Sequence, residues 1–169
     1  FCPQTDPEKL MSKQGNIKRT VMSLPLFKKL IDDLELFDQN IDEFIFGNYG
    51  EPTLNKNIHE MIAYAKKSNR IREVSMITNG SFLFGEKIDD IAKSGLDKIR
   101  ISIEAMTDAK YFETTLVKQS LSEIISNIKA FKAAVKLNKS NTFIYAKILD
   151  TGLSITERRD FFKVFTKTW

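Results

Sequence analysis

Four short apolar runs, each stopped by a glycine or polar turn, alternate with longer stretches of helical period, and this alternation constrains the fold more than any other feature of the chain. Phe44-Ile45-Phe46 is too brief for a helix and rich in aromatics, which predicts a buried strand ending at Gly47. Val74, Met76 and Ile77 predict a second strand closed by Thr78-Asn79-Gly80. Ile99 to Ile103 predict a third, and Phe143 to Ile148 a fourth. Strands separated by helices run parallel and are joined by crossovers, so the order predicts an α/β sheet or partial barrel.

The helical stretches carry their own start and stop signals. Ser23-Leu24-Pro25 reads as a helix start with proline in the first turn, followed by Leu26, Phe27, Leu30 and Ile31 at helical spacing. Asn55 or Asn57 is placed to cap a second helix carrying Ile58, Met61 and Ile62, and a third runs from about Phe84 to Ala92 with Gly95 as its left-handed terminator. Ser120-x-x-Glu123 and Ser154-x-x-Glu157 both fit the capping box, which predicts two more. The sum is five helices and four strands in one domain, with no repeat or flexible linker.

Charge and cysteine content exclude several classes of function. The 26 basic and 22 acidic residues leave a net charge of +4 with no long block, which argues against a nucleic-acid partner. Cys2, the lone cysteine, has no partner for an internal disulfide, and no run approaches the ~20 apolar residues of a membrane span. A cytoplasmic protein without a membrane partner is expected. Phe1 in place of an initiating Met, and a helical pattern running up to Trp169, predict that residues 1–169 are an internal piece of a longer protein.

Parallel sheets bind ligands beyond the carboxyl ends of their strands, and here those ends are polar. They read Gly50-Glu51-Pro52, Thr78-Asn79-Gly80, Ser102-x-Glu104, and Lys147 followed by Asp150. Gly47 and Gly50 permit close backbone approach to a ligand, so the first turn offers carbonyls, amides and one carboxylate. Each segment also has a plainer reading: an ordinary turn for Thr78-Asn79-Gly80, a half-buried strand for Ser102 and Glu104, a structural partner such as Glu104 for Lys147. His59 reads as an exposed surface residue.

Taken in order, these residues resemble the core of a radical S-adenosylmethionine (SAM) enzyme over essentially the whole chain. Phe1-Cys2 matches the end of the family's C-x3-C-x-aromatic-C motif, and Gly50-Glu51-Pro52 matches its Gly-Gly-Glu position. Thr78-Asn79-Gly80 and Ile101-Ser102-Ile103-Glu104 match the segments at its next two strand ends, with Glu104 where Asp is usual. The overall pattern is most similar to members with a C-terminal cysteine-rich SPASM or twitch domain. The resemblance implies a parallel (β/α)6 TIM-like partial barrel, of which about four strands and five helices are present. The first strand and two cluster cysteines would lie upstream, and the sixth strand downstream.

The resemblance also implies the chemistry. Three thiolates, Cys2 among them, would hold a [4Fe-4S] cluster whose open iron takes the amino and carboxylate groups of SAM. Reductive cleavage would give a 5′-deoxyadenosyl radical that abstracts hydrogen from a peptide, sugar or small metabolite, with flavodoxin or ferredoxin as reductant. Carbonyls around Tyr49, Gly50, Glu51 and Pro52 would accept from the SAM ammonium, Thr78, Asn79 and Ser102 would meet its carboxylate or ribose, and Glu104 the ribose hydroxyls. With one thiolate the 169 residues alone are expected to be inactive and, with barrel edges open, poorly soluble. Two rivals remain at this point: an aldolase-like barrel with Lys147 as a Schiff-base lysine, and a noncatalytic binding module that has kept the barrel.

Overall fold

Ser23 caps the first helix, α1 (Leu24–Asp32), its hydroxyl accepting the Leu26 N–H at 3.4 Å while Pro25 sits in the first turn. The computed structural model describes residues 20–48, 50–150 and 152–166. The four predicted strands are all present: β1 (Ile41–Phe46), β2 (Ile71–Thr78), β3 (Lys98–Ile103) and β4 (Phe143–Ile148). They pair in parallel in the order β1-β2-β3-β4. A doubly wound sheet reverses its strand order at a switch point, whereas an unreversed order is the winding of a barrel wall.

The connecting helices follow the same course. α1 packs on α2 (Ile58–Lys67), α2 on α3 (Glu86–Lys93), and α3 on α5 (Leu121–Leu137). Register places Phe46, Met76 and Ile99 in one row and Ile45, Ser75 and Lys98 in the next, so successive residues point to opposite faces. Beneath the helices Val74, Met76, Ile99 and Ile101 are fully buried, each contributing roughly 1.5–3 kcal/mol. Among the described residues, helices cover that face alone. The sequence led us to expect a buried first strand, but Ile45 is 42% exposed because it lies on the uncovered face.

Six α-helices, not five, occur among the described residues. The unforeseen one is α4 (Asp108–Thr115), capped by Thr107, whose hydroxyl accepts the Lys110 N–H at 3.3 Å. It buries only Tyr111, so it shows no apolar stripe in the sequence. Its presence also displaces the predicted capping box at α5. Asp108 Oδ1 takes the Leu121 N–H at 2.8 Å, and the Ser120 hydroxyl faces Ser122 instead of the helix amides. The second box does form at α6 (Ile155–Thr166): Glu157 N–H donates to Ser154 Oγ at 3.2 Å and Ser154 N–H to Glu157 Oε2 at 2.8 Å. At α2, Asn57 occupies the cap position without a side-chain bond, while Asn55 Oδ1 accepts the Asn57 N–H at 3.0 Å.

Gly95 ends α3 with φ +85°, as expected. Among the described residues no helix is long and apolar enough to cross a membrane.

Candidate functional site at the carboxyl ends of the strands

The turn after β1 is built from three left-handed residues, Gly47 (φ +107°), Asn48 (φ +101°) and Gly50 (φ +97°). At Gly47 the backbone lies so near β2 that a Cβ would come within 2.6 Å of the Ile77 carbonyl oxygen. Only glycine meets both conditions. Asn48, by contrast, holds a conformation that side chains disfavour. Tyr49, named from the sequence as part of this turn, lies outside the described residues.

Glu51 is the hub of the site. Its Oε1 accepts the Thr53 N–H at 3.1 Å, the Thr53 hydroxyl, and the Thr78 hydroxyl at 2.6 Å. Oε2 accepts the Asn79 N–H at 2.8 Å. A carboxylate has about four acceptor sites, so Oε1 is saturated and Oε2 keeps room for a further donor. Pro52 begins a short 3-10 turn, Pro52–Leu54, that brings the Thr53 amide back to the carboxylate. Thr53 is fully buried, and its carbonyl is held by the Lys87 ammonium at 2.6 Å. The ends of β1 and β2 are thereby locked together.

Thr78, expected to meet a ligand, is 2% exposed. It gives its proton to Glu51 and accepts the Gly80 N–H at 3.1 Å. Asn79 is exposed, with its Oδ1 turned back to the Ser81 N–H at 2.9 Å. Along β3 the alternation sends Ile101 and Ile103 under the helices and Ser102 to the open face, where it stands opposite Lys147. Neither the Ser102 hydroxyl nor the Glu104 carboxylate has a hydrogen-bond partner among the described residues. Burial pushes the Glu104 carboxyl above the usual carboxylate range. Its own N–H donates to the Tyr111 hydroxyl at 3.1 Å, and burial pushes that phenol up to about 12.

The remaining strand-end residues divide. Lys147 is exposed and makes no ion pair with Glu104, so the structural partnership expected between the two is not formed. Asp150 pairs with Arg158 of α6 at 3.1 Å, and His59 is half-buried on α2, not exposed. Cys2 lies outside the described residues, among which no three His, Cys, Asp or Glu side chains gather as a metal site.

The family model for the radical SAM superfamily matches residues 1–149. The chain belongs to that superfamily. It is 36% identical over 93 residues to a probable GTP 3′,8-cyclase of Metallosphaera sedula, covering 53% of this chain and 28% of that protein. It is 30% identical over 111 residues to a tungsten-containing aldehyde ferredoxin oxidoreductase cofactor-modifying protein of Pyrococcus furiosus, covering 66% of this chain and 29% of the relative. A GTP 3′,8-cyclase of Clostridium botulinum is 25% identical over 145 residues, 85% of this chain and 43% of its own length. The chain thus spans less than half of the curated relatives it matches.

Two solved radical SAM structures share the fold. BtrN in complex with AdoMet and 2-DOIA superimposes with a TM-score of 0.53 at 18% identity, over 81% of this chain and 49% of BtrN. Native anSMEcpe with bound AdoMet gives 0.57 at 18% identity, over 90% of this chain and 42% of the other. The radical SAM family uses a [4Fe-4S] cluster with SAM, which agrees with the cofactors that the resemblance implied.

Some residues at this end and on this open face of the sheet were not singled out in the sequence. Arg100 shares the open face with Ser102, and the strict alternation Lys98-Ile99-Arg100-Ile101-Ser102 was the signal that could have found it. Thr53 and Tyr111 act through a backbone turn and a later helix, and no spacing rule points to either.

Proposed function

We propose that the intact protein is a radical SAM enzyme and that these residues are its SAM-binding core, with the mouth formed by Glu51, Asn79, Ser102 and Glu104 as the cofactor cradle. The observation that carries this reading is the lock between Glu51 and the end of β2, which fixes a glycine turn and a carboxylate at one edge of a parallel sheet. When bound, the cluster and SAM supply an organic radical able to take hydrogen from unactivated carbon.

The residues present fit the cofactor. SAM brings an ammonium, a carboxylate and ribose hydroxyls, and the mouth offers mostly acceptors: the carbonyls around Gly50, the open lone pairs of Glu51 Oε2, and the unpartnered Glu104 carboxylate. Charge-assisted bonds of this kind contribute roughly 1.5–3 kcal/mol each. Ser102 supplies a free hydroxyl for the carboxylate or ribose, and Glu104 accepts from ribose hydroxyls. Thr78 serves this site by holding Glu51. The cluster's ligands would be Cys2 and two cysteines upstream of residue 1, in the C-x3-C-x-aromatic-C frame. The substrate is not carried over from the relatives, because their names describe different reactions.

The test uses the full-length protein, reconstituted anaerobically with iron and sulfide, reduced with dithionite and supplied with SAM. Release of 5′-deoxyadenosine is expected. A fully assembled cluster that leaves SAM intact overturns the proposal, as does an upstream sequence lacking the two cysteines.

A further inference from the structure

Arg100 differs from every other cation on the open face of the sheet that sits below the rim. Its Nε is buried without a hydrogen-bond partner, and its guanidinium makes no ion pair among the described residues. Arg100 is half-buried, and a guanidinium nitrogen withdrawn from water without a partner is costly unless an anion beside it offsets the loss. The neighbouring cation is settled differently. Lys98, one row nearer the amino end of the strands, pairs with Glu73 and stands 3.6 Å from Glu43. Both acids are therefore drawn to Lys98, and neither is paired with Arg100.

The surroundings of Arg100 are shaped for a small ligand. Ile77 on β2 and Tyr145 on β4 flank it across the sheet, and with Ile45, Ser75 and the neighbouring Lys98 and Glu43 they line a cavity of about 100 Å³. Two residues further along β3, and thus roughly 6.6 Å nearer the mouth, Ser102 stands opposite Lys147. On β3 and β4 the carboxyl half of this face therefore presents donors, Arg100, Ser102 and Lys147, while Glu43, the one carboxylate in the cavity lining, stands 3.6 Å from the Lys98 ammonium. A planar fork of N–H groups beside an aromatic ring matches a carboxylate or phosphate oxyanion, which it holds through two parallel bonds.

We propose that Arg100 holds an oxyanion of the substrate, a carboxylate or a phosphate, on the open face of the sheet. The proposal rests on the reading that the mouth above it binds SAM. It assigns to Arg100 a part in choosing the substrate: molecules lacking an anionic group leave the guanidinium unpaired. SAM's own carboxylate is the competing occupant, and the two are separable by which affinity Arg100 controls.

Calorimetric titration of the full-length, cluster-reconstituted protein with inorganic phosphate, glutarate and SAM tests this, in wild type, Arg100→Met and Arg100→Lys. Methionine keeps the bulk and removes an unpaired charge, and lysine keeps the charge without the fork. At least one of the two anions should bind wild type and weaken about tenfold or more in Arg100→Met, less in Arg100→Lys, with SAM affinity unchanged within about twofold. The anion that responds identifies the substrate group as phosphate or carboxylate. Anion affinity that ignores Arg100, or absent anion binding in wild type, overturns the proposal, as does a tenfold loss of SAM affinity in Arg100→Met. Wild type that binds an anion through Arg100 but no SAM rejects the SAM cradle and not the anion site.

Discussion

The Thr78 hydroxyl donates to Glu51 Oε1 at 2.6 Å, joining the ends of two adjacent parallel strands through residues 27 apart in sequence. That single bond decides how the mouth of the sheet is organised. It turns Glu51 inward, saturates one of its oxygens with Thr53, and leaves the second to Asn79 and any further donor. The carboxylate is thus a brace first, and what remains available to a ligand is the acceptor surface the brace exposes.

Removing the brace should unfold this corner first. Glu51→Ala strands the buried Thr53 and Thr78 hydroxyls and two amides, and is expected to lower stability by about 3 kcal/mol. Thr78→Val removes one donor along with its need for a partner, and should cost nearer 1 kcal/mol. In urea denaturation the double variant should lose less than the sum of the two, by about 1 kcal/mol; strict additivity would mean the bond contributes nothing.

Gly47 and Gly152 both have positive φ, yet they should respond differently to alanine. At Gly47 (φ +107°) the new Cβ would sit 2.6 Å from the Ile77 oxygen, a backbone atom that cannot step aside. At Gly152 (φ +76°) nothing lies within 4 Å. Gly152→Ala should therefore cost only the left-handed backbone, about 1 kcal/mol, and Gly47→Ala about 3 kcal/mol or more. Equal shifts in melting temperature would contradict the close approach of β1 to β2.

Glu104 sets a pH dependence opposite to that of ordinary paired acids. Burial raises its folded-state pKa, so the folded protein binds this proton more tightly than the unfolded chain does. Stability from this group is complete below the ordinary value of 4.5 and is lost as pH rises through the raised value. Glu104→Gln should then stabilise the protein at neutral pH and have little effect at pH values below 4.5. Denaturant midpoints compared at the two ends of that range check the sign. Glu43 and Glu157, whose values are lowered by hydrogen bonds from Ser75 and Ser154, act in the reverse sense and lose their contribution as pH falls.

The regular parts of the fold were legible because each rests on a local rule. Apolar runs too short for helices became β1 to β4, and their parallel pairing followed from the alternation with helices, whereas the unreversed order that separates a barrel wall from a doubly wound sheet was implied by the family resemblance alone. The polar strand ends followed in turn, since parallel strands bring all their carboxyl ends to one edge. What escaped depends on contacts between distant residues. The saturation of Glu51 needs Thr78 from another strand, and the missed helix α4 buries a single tyrosine whose hydroxyl serves Glu104. Arg100 escaped for another reason: its face was readable from period two, but its lack of a partner was not.

The two capping-box sequences offer the sharpest comparison of pattern with structure, because identical spacing gives one box that forms and one that does not. Ser154 and Glu157 exchange bonds with each other's amides, so Ser154→Ala should destabilise by about 1 kcal/mol. Ser120 caps nothing: its hydroxyl faces Ser122, and the first free amide of α5 belongs to Asp108. Ser120→Ala should change stability by less than about 0.5 kcal/mol, whereas Asp108→Ala should carry the loss of about 1 kcal/mol that the motif would assign to Ser120. Thermal or urea melts of the three variants decide the matter. A large effect at Ser120 with none at Asp108 would mean that the box closes in solution and that α4 does not anchor the start of α5.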